Sequence, residues 1–365
     1  MKGEAMRAVV LHARGDLRVE ERARPHPGPG EVLLRVTAAG VCGSDAGELD
    51  HGPVLTPLTT PHPVTRHEGP LVLGHEIGGR VEILGPGVAG LRIGQLVACG
   101  AGVSCGRCDH CAAGRTNLCD RYWTLGLSTH GGLAEYVVAP ASVCLPVDPD
   151  RVSEHAAGLV QPMSIAVHAS RCGRPTSDDH VVVVGAGGIG AFLVAALAQH
   201  TGPRSLRLVE PNPARREVAL GLGATSAHED AGSLRAAAAP VDVVYEVSGT
   251  PAGLRTALGT VRRGGRVVLV GLQRPGTAPD DLLLDVSRTE LELVGTNAHT
   301  FAADFTVAAE LIARRGDWSL VAPRVHPLEA AATVVDALAH GGGTTIKELF
   351  DPRVGRPVEA GYGTA

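Results

Sequence analysis

Apolar positions along the chain change their period near residue 153. Before it they fall in short runs of strand character, at residues 6–11, 17–22, 31–39, 78–84, 95–99, 133–138 and 143–147. Pro25, Pro27, Gly28, Pro29 and Gly30 mark a turn between the second and third runs. Residues 51–70 are rich in Pro and His, carry neither a helical nor a strand period, and read as a loop. The first part is therefore expected to be β-rich, with long loops that carry function.

From Ser153 the period is that of alternating helices and strands. Residues 153–169 read as a helix with Ser153 as its cap. Strands are predicted at 181–184, 206–210, 241–246, 266–270 and 291–294, with helices between them, among them 213–222 and 253–261. Such alternation predicts a doubly wound parallel sheet. After Gly295 come a helix at 304–314, a segment at 324–328, a helix at 328–339 and a last strand at 345–350. These pieces are expected to rejoin the first domain. The predicted limits are 1–155 for the N-terminal part, 156–296 for the inserted α/β domain and 297–365 for the returning segment, with the site in the cleft between domains.

The stretch 181–190 reads V-V-V-V-G-A-G-G-I-G. Four β-branched residues suit a strand buried on both faces. Gly185, Gly187 and Gly190 follow at G-x-G-x-x-G spacing, with Gly188 and Ile189 between, and residues 191–198 continue as an apolar helix. The first glycine permits a tight turn, the second lets a pyrophosphate approach the backbone, and the third lets helix pack on strand. The helix N-terminus offers N–H groups to phosphate. Glu210 lies 20 residues after Gly190, at the end of the next predicted strand. Its carboxylate can accept from both ribose hydroxyls and repels a 2′-phosphate, so NAD is expected rather than NADP. Arg215 and Arg216 follow; a guanidinium there can stack on adenine or bind phosphate, or simply face solvent.

Composition narrows the class of protein. The 365 residues suffice for two domains, and 44% hydrophobic with 19% charged residues is ordinary globular composition. Aromatics make up only 3%, so the cores must be built of Val, Leu, Ile and Ala. A net charge of −5 argues against a nucleic-acid or anionic-membrane surface. No apolar run approaches the roughly 18 residues of a membrane span, and residues 1–10 hold no apolar core of signal-peptide length. A cytoplasmic location is expected.

Of eight cysteines, Cys105, Cys108, Cys111 and Cys119 have the spacing C-x2-C-x2-C-x7-C. In a reducing compartment that spacing points to metal, and four thiolates close tetrahedrally around a structural Zn²⁺. A second, dispersed set comprises Cys42 in V-C-G-S-D and His75 with Glu76 in L-G-H-E. A thiolate, an imidazole and a third donor leave one position of a tetrahedral zinc open, which is the catalytic arrangement. Zinc lowers the pKa of bound water to about 7 and would act likewise on an alcohol, favouring hydride expulsion to a nicotinamide. Cys99, Cys144 and Cys172 read as small core residues.

V-C-G-S-D, L-G-H-E, the four-cysteine loop ending N-L-C and G-A-G-G-I-G occur in this order along the chain. Together they resemble the zinc-dependent medium-chain dehydrogenase/reductase family across essentially the whole chain. The resemblance implies a GroES-like catalytic domain, a Rossmann domain, and a homodimer or homotetramer. Residues 52–65 look most like 2,3-butanediol dehydrogenases, then sorbitol and threonine dehydrogenases. Cys42, His75 and Glu76 fall on the family's catalytic zinc motif, and Ser44 where a hydroxyl commonly relays the substrate's proton. Ser248 and Gly249 are expected to line the nicotinamide ribose. Residues 51–70 and 125–130 are candidates for substrate contact.

Two departures from the family pattern sit at the reaction centre. Where relatives carry a glutamate that binds or faces zinc, this chain has Gln161, a neutral and poorer donor. Where many carry a relay histidine it has Gly47, which leaves Ser44, a water, a cofactor hydroxyl or His51 as proton routes. The leading expectation is an NAD-linked zinc enzyme interconverting a secondary alcohol (a diol, polyol or cyclitol) and its ketone. A zinc-independent NAD(P)H reductase of the same fold and a non-catalytic NAD-binding protein are the alternatives.

Overall fold

The computed structural model describes residues 4–236, 240–273, 276, 278–341 and 345–363. Contacts divide the chain into two units, Met1–Gln161 with His299–Ala365, and Pro162–Ala298.

The N-terminal part of the first unit runs β1 (Ala5–Ala13), β2 (Asp16–Ala23), β3 (Glu31–Val41), α1 (Gly43–His51), β4 (Leu71–Val72), β5 (Glu76–Leu84), β6 (Leu96–Cys99), β7 (Gly102–Val103), α2 (Asp109–Ala112), β8 (Trp123–Thr124), β9 (Tyr136–Pro140), β10 (Cys144–Pro146) and α3 (Glu154–Ala157). The helix α1 does not announce itself in the apolar pattern. Its buried positions are Asp45, Ala46, Glu48 and Leu49, so half of its inward face is carboxylate. The single helix expected at 153–169 is two, α3 and then α4 (Val160–Gly173), with Ser153 capping the first through the Ala156 N–H. Gly158 lies at the break, where a Cβ would stand 2.9 Å from that of Ala38.

The second unit continues with β11 (His180–Val184), α5 (Gly188–Ala196), β12 (Ser205–Val209), α6 (Pro213–Gly221), β13 (Ser226–His228), α7 (Ala231–Ala236), β14 (Val241–Glu246), α8 (Pro251–Thr260), β15 (Val261–Leu269), α9 (Leu282–Thr289) and β16 (Glu292–Gly295). All its strands are parallel, in the order β13-β12-β11-β14-β15-β16. The order reverses between β11 and β14, and ligands of such sheets bind beyond the strand ends at that reversal. The valines of β11 are buried as their run predicts, and Val182 and Val184 pack with Val209, Val244 and Val267.

The first unit is completed by α10 (Thr306–Arg315), β17 (Arg324–His326), α11 (Ala331–Ala339), β18 (Glu348–Phe350) and β19 (Val358–Glu359). The strand expected at 345–350 is confined to β18, and β19 follows it. Within the main sheet the order is β10-β6-β5-β3-β18-β17-β19, with β9 also on β3; β2-β1-β4 form a second sheet. Pairing of β18 with β3 (Glu348 opposite Val41) sets the residue before β18, Lys347, beside the end of β3.

Candidate active site

The antiparallel register of β3 and β5 pairs Gly40 with Glu76. Cys42, just past β3, thereby meets His75 and Glu76 at the start of β5. One donor atom from each of the three lies within 4.8 Å of the others. Gly40 is required for this: a Cβ there would overlap the Glu76 carboxylate.

Asp45 ties the two chain segments together. Its Oδ2 accepts the Cys42 N–H at 2.8 Å, while Oδ1 takes the Gly74 N–H at 3.4 Å and stands 3.6 Å from His75 Nδ1. A carboxylate behind a ligating histidine orients it and raises its basicity. Lys347 closes the cluster from β18. Its Nζ donates to Glu76 Oε1 at 2.6 Å and to the Val41 carbonyl at 3.2 Å, and both side chains of the ion pair are buried.

Sequence reasoning missed Asp45 and Lys347. Asp45 stood within V-C-G-S-D, and Lys347 was conspicuous as one of two lysines in the chain. A third missed residue is Glu48. Its buried carboxylate accepts N–H groups of Val54, Leu55 and Thr56 and the Thr56 hydroxyl, fixing the loop that follows α1.

The donor set fits a divalent cation. Glu76 Oε2 is buried without a hydrogen-bond partner, a costly state for a carboxylate oxygen unless a ligand completes it. A bound divalent ion would keep His75 neutral and offset the excess of the Cys42 thiolate, Asp45 and Glu76 over Lys347. Burial pushes the Cys42 thiol up, but the hydrogen bond from His75 and the charge of Lys347 outweigh it and lower its pKa. Burial opposes charging of His75, yet Asp45 and Cys42 hold its pKa well above the ordinary value. Thiolate is the form of cysteine that binds metal.

Gln161 is buried in the first turn of α4, and Ser44 is half-buried in the first turn of α1. The loops at 52–65 and 125–130 meet where the Thr65 hydroxyl donates to the Ser128 carbonyl at 2.6 Å. Val64, Thr65, Leu125, Thr129 and His130 line a cavity of about 780 Å³, whose lining contains none of Cys42, His75, Glu76 or Gln161.

The other cysteine cluster is a lobe of short elements. One sulfur from each of Cys105, Cys108, Cys111 and Cys119 lies within 4.8 Å of the rest, and the Cys108 and Cys111 sulfurs are 3.5 Å apart. Tetrahedral Zn–S bonds imply S···S separations of about 3.8 Å. Backbone N–H groups of Arg107 and Cys108 lower the Cys105 pKa to about 6, while burial pushes Cys119 up to about 11. A cation between them would offset the mutual repulsion of four thiolates so close together.

In the second unit, Gly185 follows β11 with φ +98° and abuts Ser248, which follows β14 at the reversal of strand order. A Cβ on Gly190 would strike the Gly185 carbonyl, so α5 packs tightly on the turn. Gly187, the N-cap of α5, faces open space, with Gly188 and Ile189 in the first helical turn beside it. Glu210 Oε2 accepts the Ala186 N–H at 2.7 Å and Oε1 the Asn212 N–H at 2.9 Å, so its carboxylate lies against this turn. Arg216 donates to the carbonyls of Glu210 and Pro211, and Arg215 occupies the first turn of α6. Ser248 donates to the buried Glu246 at 2.5 Å, and the Gly249 N–H does so at 3.2 Å. Open space at Gly187 on the α5 N-terminus, with a carboxylate at the end of the next strand, suits a dinucleotide.

Comparison with known proteins gives the family. Residues 28–149 match the alcohol dehydrogenase GroES-like domain and residues 188–314 the zinc-binding dehydrogenase domain. Sorbitol dehydrogenase of Bacillus subtilis (strain 168) is 30% identical over 80% of this chain and 81% of its own. (R,R)-butanediol dehydrogenase of the same organism is 32% identical over 80% of this chain and 84% of its own. Among solved structures, 2R,3R-butanediol dehydrogenase from Bacillus subtilis superposes with a TM-score of 0.85 at 27% identity, covering 95% of this chain and 100% of that one. A zinc-binding dehydrogenase from Sinorhizobium meliloti 1021 bound to NADP has a TM-score of 0.85 at 28% identity, covering 96% of this chain and 100% of that one. The chain belongs to the zinc-dependent medium-chain dehydrogenase/reductase family, with a GroES-like and a Rossmann domain, and is an oxidoreductase of secondary alcohols that uses zinc and a nicotinamide dinucleotide.

Proposed function

We propose that this enzyme interconverts a diol, polyol or cyclitol-like secondary alcohol and its ketone, with NAD preferred to NADP. The observation that carries the reading is the cluster of half-buried Cys42 with buried His75 and Glu76, one donor atom of each within 4.8 Å of the others. Cys42 and His75, with Glu76 or Gln161, would hold the catalytic zinc, and Cys105, Cys108, Cys111 and Cys119 the structural one. When bound, zinc polarises the substrate oxygen and the nicotinamide exchanges a hydride with the carbinol carbon. Asp45 orients His75, and Lys347 holds one oxygen of Glu76. Gly185, Gly187 and Gly190 with Gly188 and Ile189 form the pyrophosphate turn. Glu210 supports NAD because a 2′-phosphate would meet its carboxylate. Arg215 would lie along the adenine side and Ser248 along the nicotinamide ribose.

A homodimer or homotetramer in the cytoplasm is part of the same reading. Among the described residues no helix is long and apolar enough to cross a membrane. Among the described residues the edge strand β16 has an open side, and α9 has no buried residue, with Leu283 78% and Leu284 56% exposed. An open strand edge beside exposed leucines is a surface suited to a second copy.

Metal analysis with a cofactor assay tests the reading. Two zinc per chain and chelator-sensitive reduction of NAD by sorbitol, 2,3-butanediol or a cyclitol are expected. Fewer than two zinc, with no chelator-sensitive turnover, would sink it.

A further inference from the structure

Cys99, Cys144 and Cys172 stand outside both metal clusters, and the first two face each other across a sheet. The antiparallel register of β10 on β6 sets Cys144 opposite Cys99, Leu145 opposite Ala98 and Pro146 opposite Val97. At one end of this ladder the Gly100 N–H donates to the Val143 carbonyl at 2.7 Å. At the other the Val147 N–H donates to the Leu96 carbonyl at 3.1 Å. Hydrogen-bonded and non-hydrogen-bonded pairs alternate along such a ladder. Cys99 with Cys144 is therefore a non-hydrogen-bonded pair, as is Val97 with Pro146, whose nitrogen has no proton to give. Residues of such a pair stand about 4.5 Å apart at Cα, with their side chains close together on one face. A disulfide needs a Cα separation of roughly 4.4–6.8 Å, so these two sulfurs can bond within the existing register.

Both cysteines belong to the hydrophobic core of the first unit and are buried there. A hydrogen bond from Cys144 lowers the Cys99 pKa, burial opposes it, and the Ala101 N–H lowers it further. Contact with Cys99, reinforced by burial, holds the Cys144 thiol well above its ordinary value. Cys99 is thus the nucleophile, and Cys144 keeps its proton. Strand β10 has only three residues and stands at the end of the main sheet's strand order. A short terminal strand is where local opening needs least free energy, and such opening admits a small neutral oxidant. Between the two cysteines in the chain lie Cys105, Cys108, Cys111 and Cys119, so a bond from 99 to 144 closes a loop around the whole four-cysteine lobe.

We infer that Cys99 and Cys144 form a reversible intrachain disulfide when the protein meets a hydroperoxide, and that this bond anchors the loop carrying the lobe. The Cys99 sulfur attacks the O–O bond of hydrogen peroxide, which breaks to give a sulfenic acid on Cys99 and one water. The Cys144 sulfur then attacks the Cys99 sulfur. The S–OH bond breaks, the S–S bond forms, and the Cys144 proton leaves with the hydroxyl as a second water. Two electrons pass from the two thiols to the peroxide, and a dithiol reductant reverses the bond by exchange. The same oxidant attacks zinc thiolates, and a lobe that loses its metal loses its closure. The disulfide holds the two ends of its loop together without metal. The bond itself is independent of the zinc reading above; the benefit to a metal-depleted lobe rests on it.

The test treats the zinc-loaded full chain with hydrogen peroxide, removes the peroxide with catalase, blocks free thiols with an alkylating agent in denaturant and digests without reductant. Mass spectrometry is expected to find a peptide pair joined through Cys99 and Cys144, and to lose it when dithiothreitol precedes the alkylation. Melting of chelator-treated samples reads the anchoring. Prior peroxide should raise the melting temperature of wild type by about 5 °C relative to the shift it produces in Cys144→Ser, and Cys99→Ala should behave as Cys144→Ser does. Alkylated Cys99 and Cys144 after a peroxide dose that oxidises the lobe cysteines would overturn the disulfide, and this readout needs no variant to fold. A joined peptide pair with no gain in melting temperature over either variant would overturn the anchoring. A lobe that binds no zinc, with the joined pair still formed, would refute the zinc reading and leave the disulfide standing.

Discussion

Lys347 Nζ stands 2.6 Å from Glu76 Oε1, and this ion pair is almost wholly closed to solvent, at 2% and 0% side-chain exposure. Removing one partner of a buried pair leaves the other charge uncompensated, at a cost of about 3–5 kcal/mol. Lys347→Met should therefore lower unfolding stability by about that amount and weaken zinc binding, because Glu76 is then free to swing. Lys347→Met/Glu76→Gln should recover part of the stability. Denaturant unfolding and zinc competition with a chelator measure both; additive losses in the double variant would refute the coupling.

Glu210 is the residue expected to turn cofactor choice. Its carboxylate lies against the glycine turn through the Ala186 N–H. Glu210→Ser should lower the NAD-to-NADP ratio of kcat/KM by at least about 10-fold, equivalent to about 1.4 kcal/mol. An unchanged ratio would place specificity elsewhere.

Cys119 is the most buried member of the four-thiol lobe. Cys119→Ser should reduce zinc from two to one per chain. It should also expose residues 102–124 to limited proteolysis, since closure of that loop depends on the metal. Retention of both zinc ions with an intact lobe would count against a four-cysteine site.

Acid sensitivity should centre on Asp351. Burial pushes its carboxyl up, but hydrogen bonds from His155 and Arg353 prevail and bring its pKa to about 2. A depressed carboxylate stabilises the fold above its unfolded pKa of about 3.9, and the contribution is lost as pH falls toward 2. It amounts to about 2 kcal/mol at neutral pH. Asp351→Asn should cost about that much at pH 7 and progressively less between pH 4 and 2, as followed by denaturant melts.

The leucines of α9 offer a handle on assembly. Leu283→Glu with Leu284→Glu should shift the enzyme toward monomer in light scattering while leaving far-UV circular dichroism unchanged. An undisturbed oligomer would place the interface on another surface.

Much of this enzyme could be read from local pattern. Four valines before G-A-G-G-I-G declare a buried parallel strand and a phosphate turn, because strand period, left-handed glycine geometry and close helix packing are all local requirements. Four cysteines within fifteen residues declare a metal for the same reason. Helix α1 escaped because its buried side carries Asp45 and Glu48, whose value lies in backbone donors at Cys42, Gly74 and Val54–Thr56 and not in hydrophobicity. The break between α3 and α4 at Gly158 arises from its approach to Ala38 on β3, more than a hundred residues away in the chain. The sequence by itself marked out the candidate residues for metal and dinucleotide, since chemistry and spacing suffice to nominate them. Only the tertiary structure decided the electrostatics of the reaction centre. Pairing of β18 with β3 delivers Lys347 to Glu76 from 271 residues away, and no local period records a charge that is satisfied across a sheet.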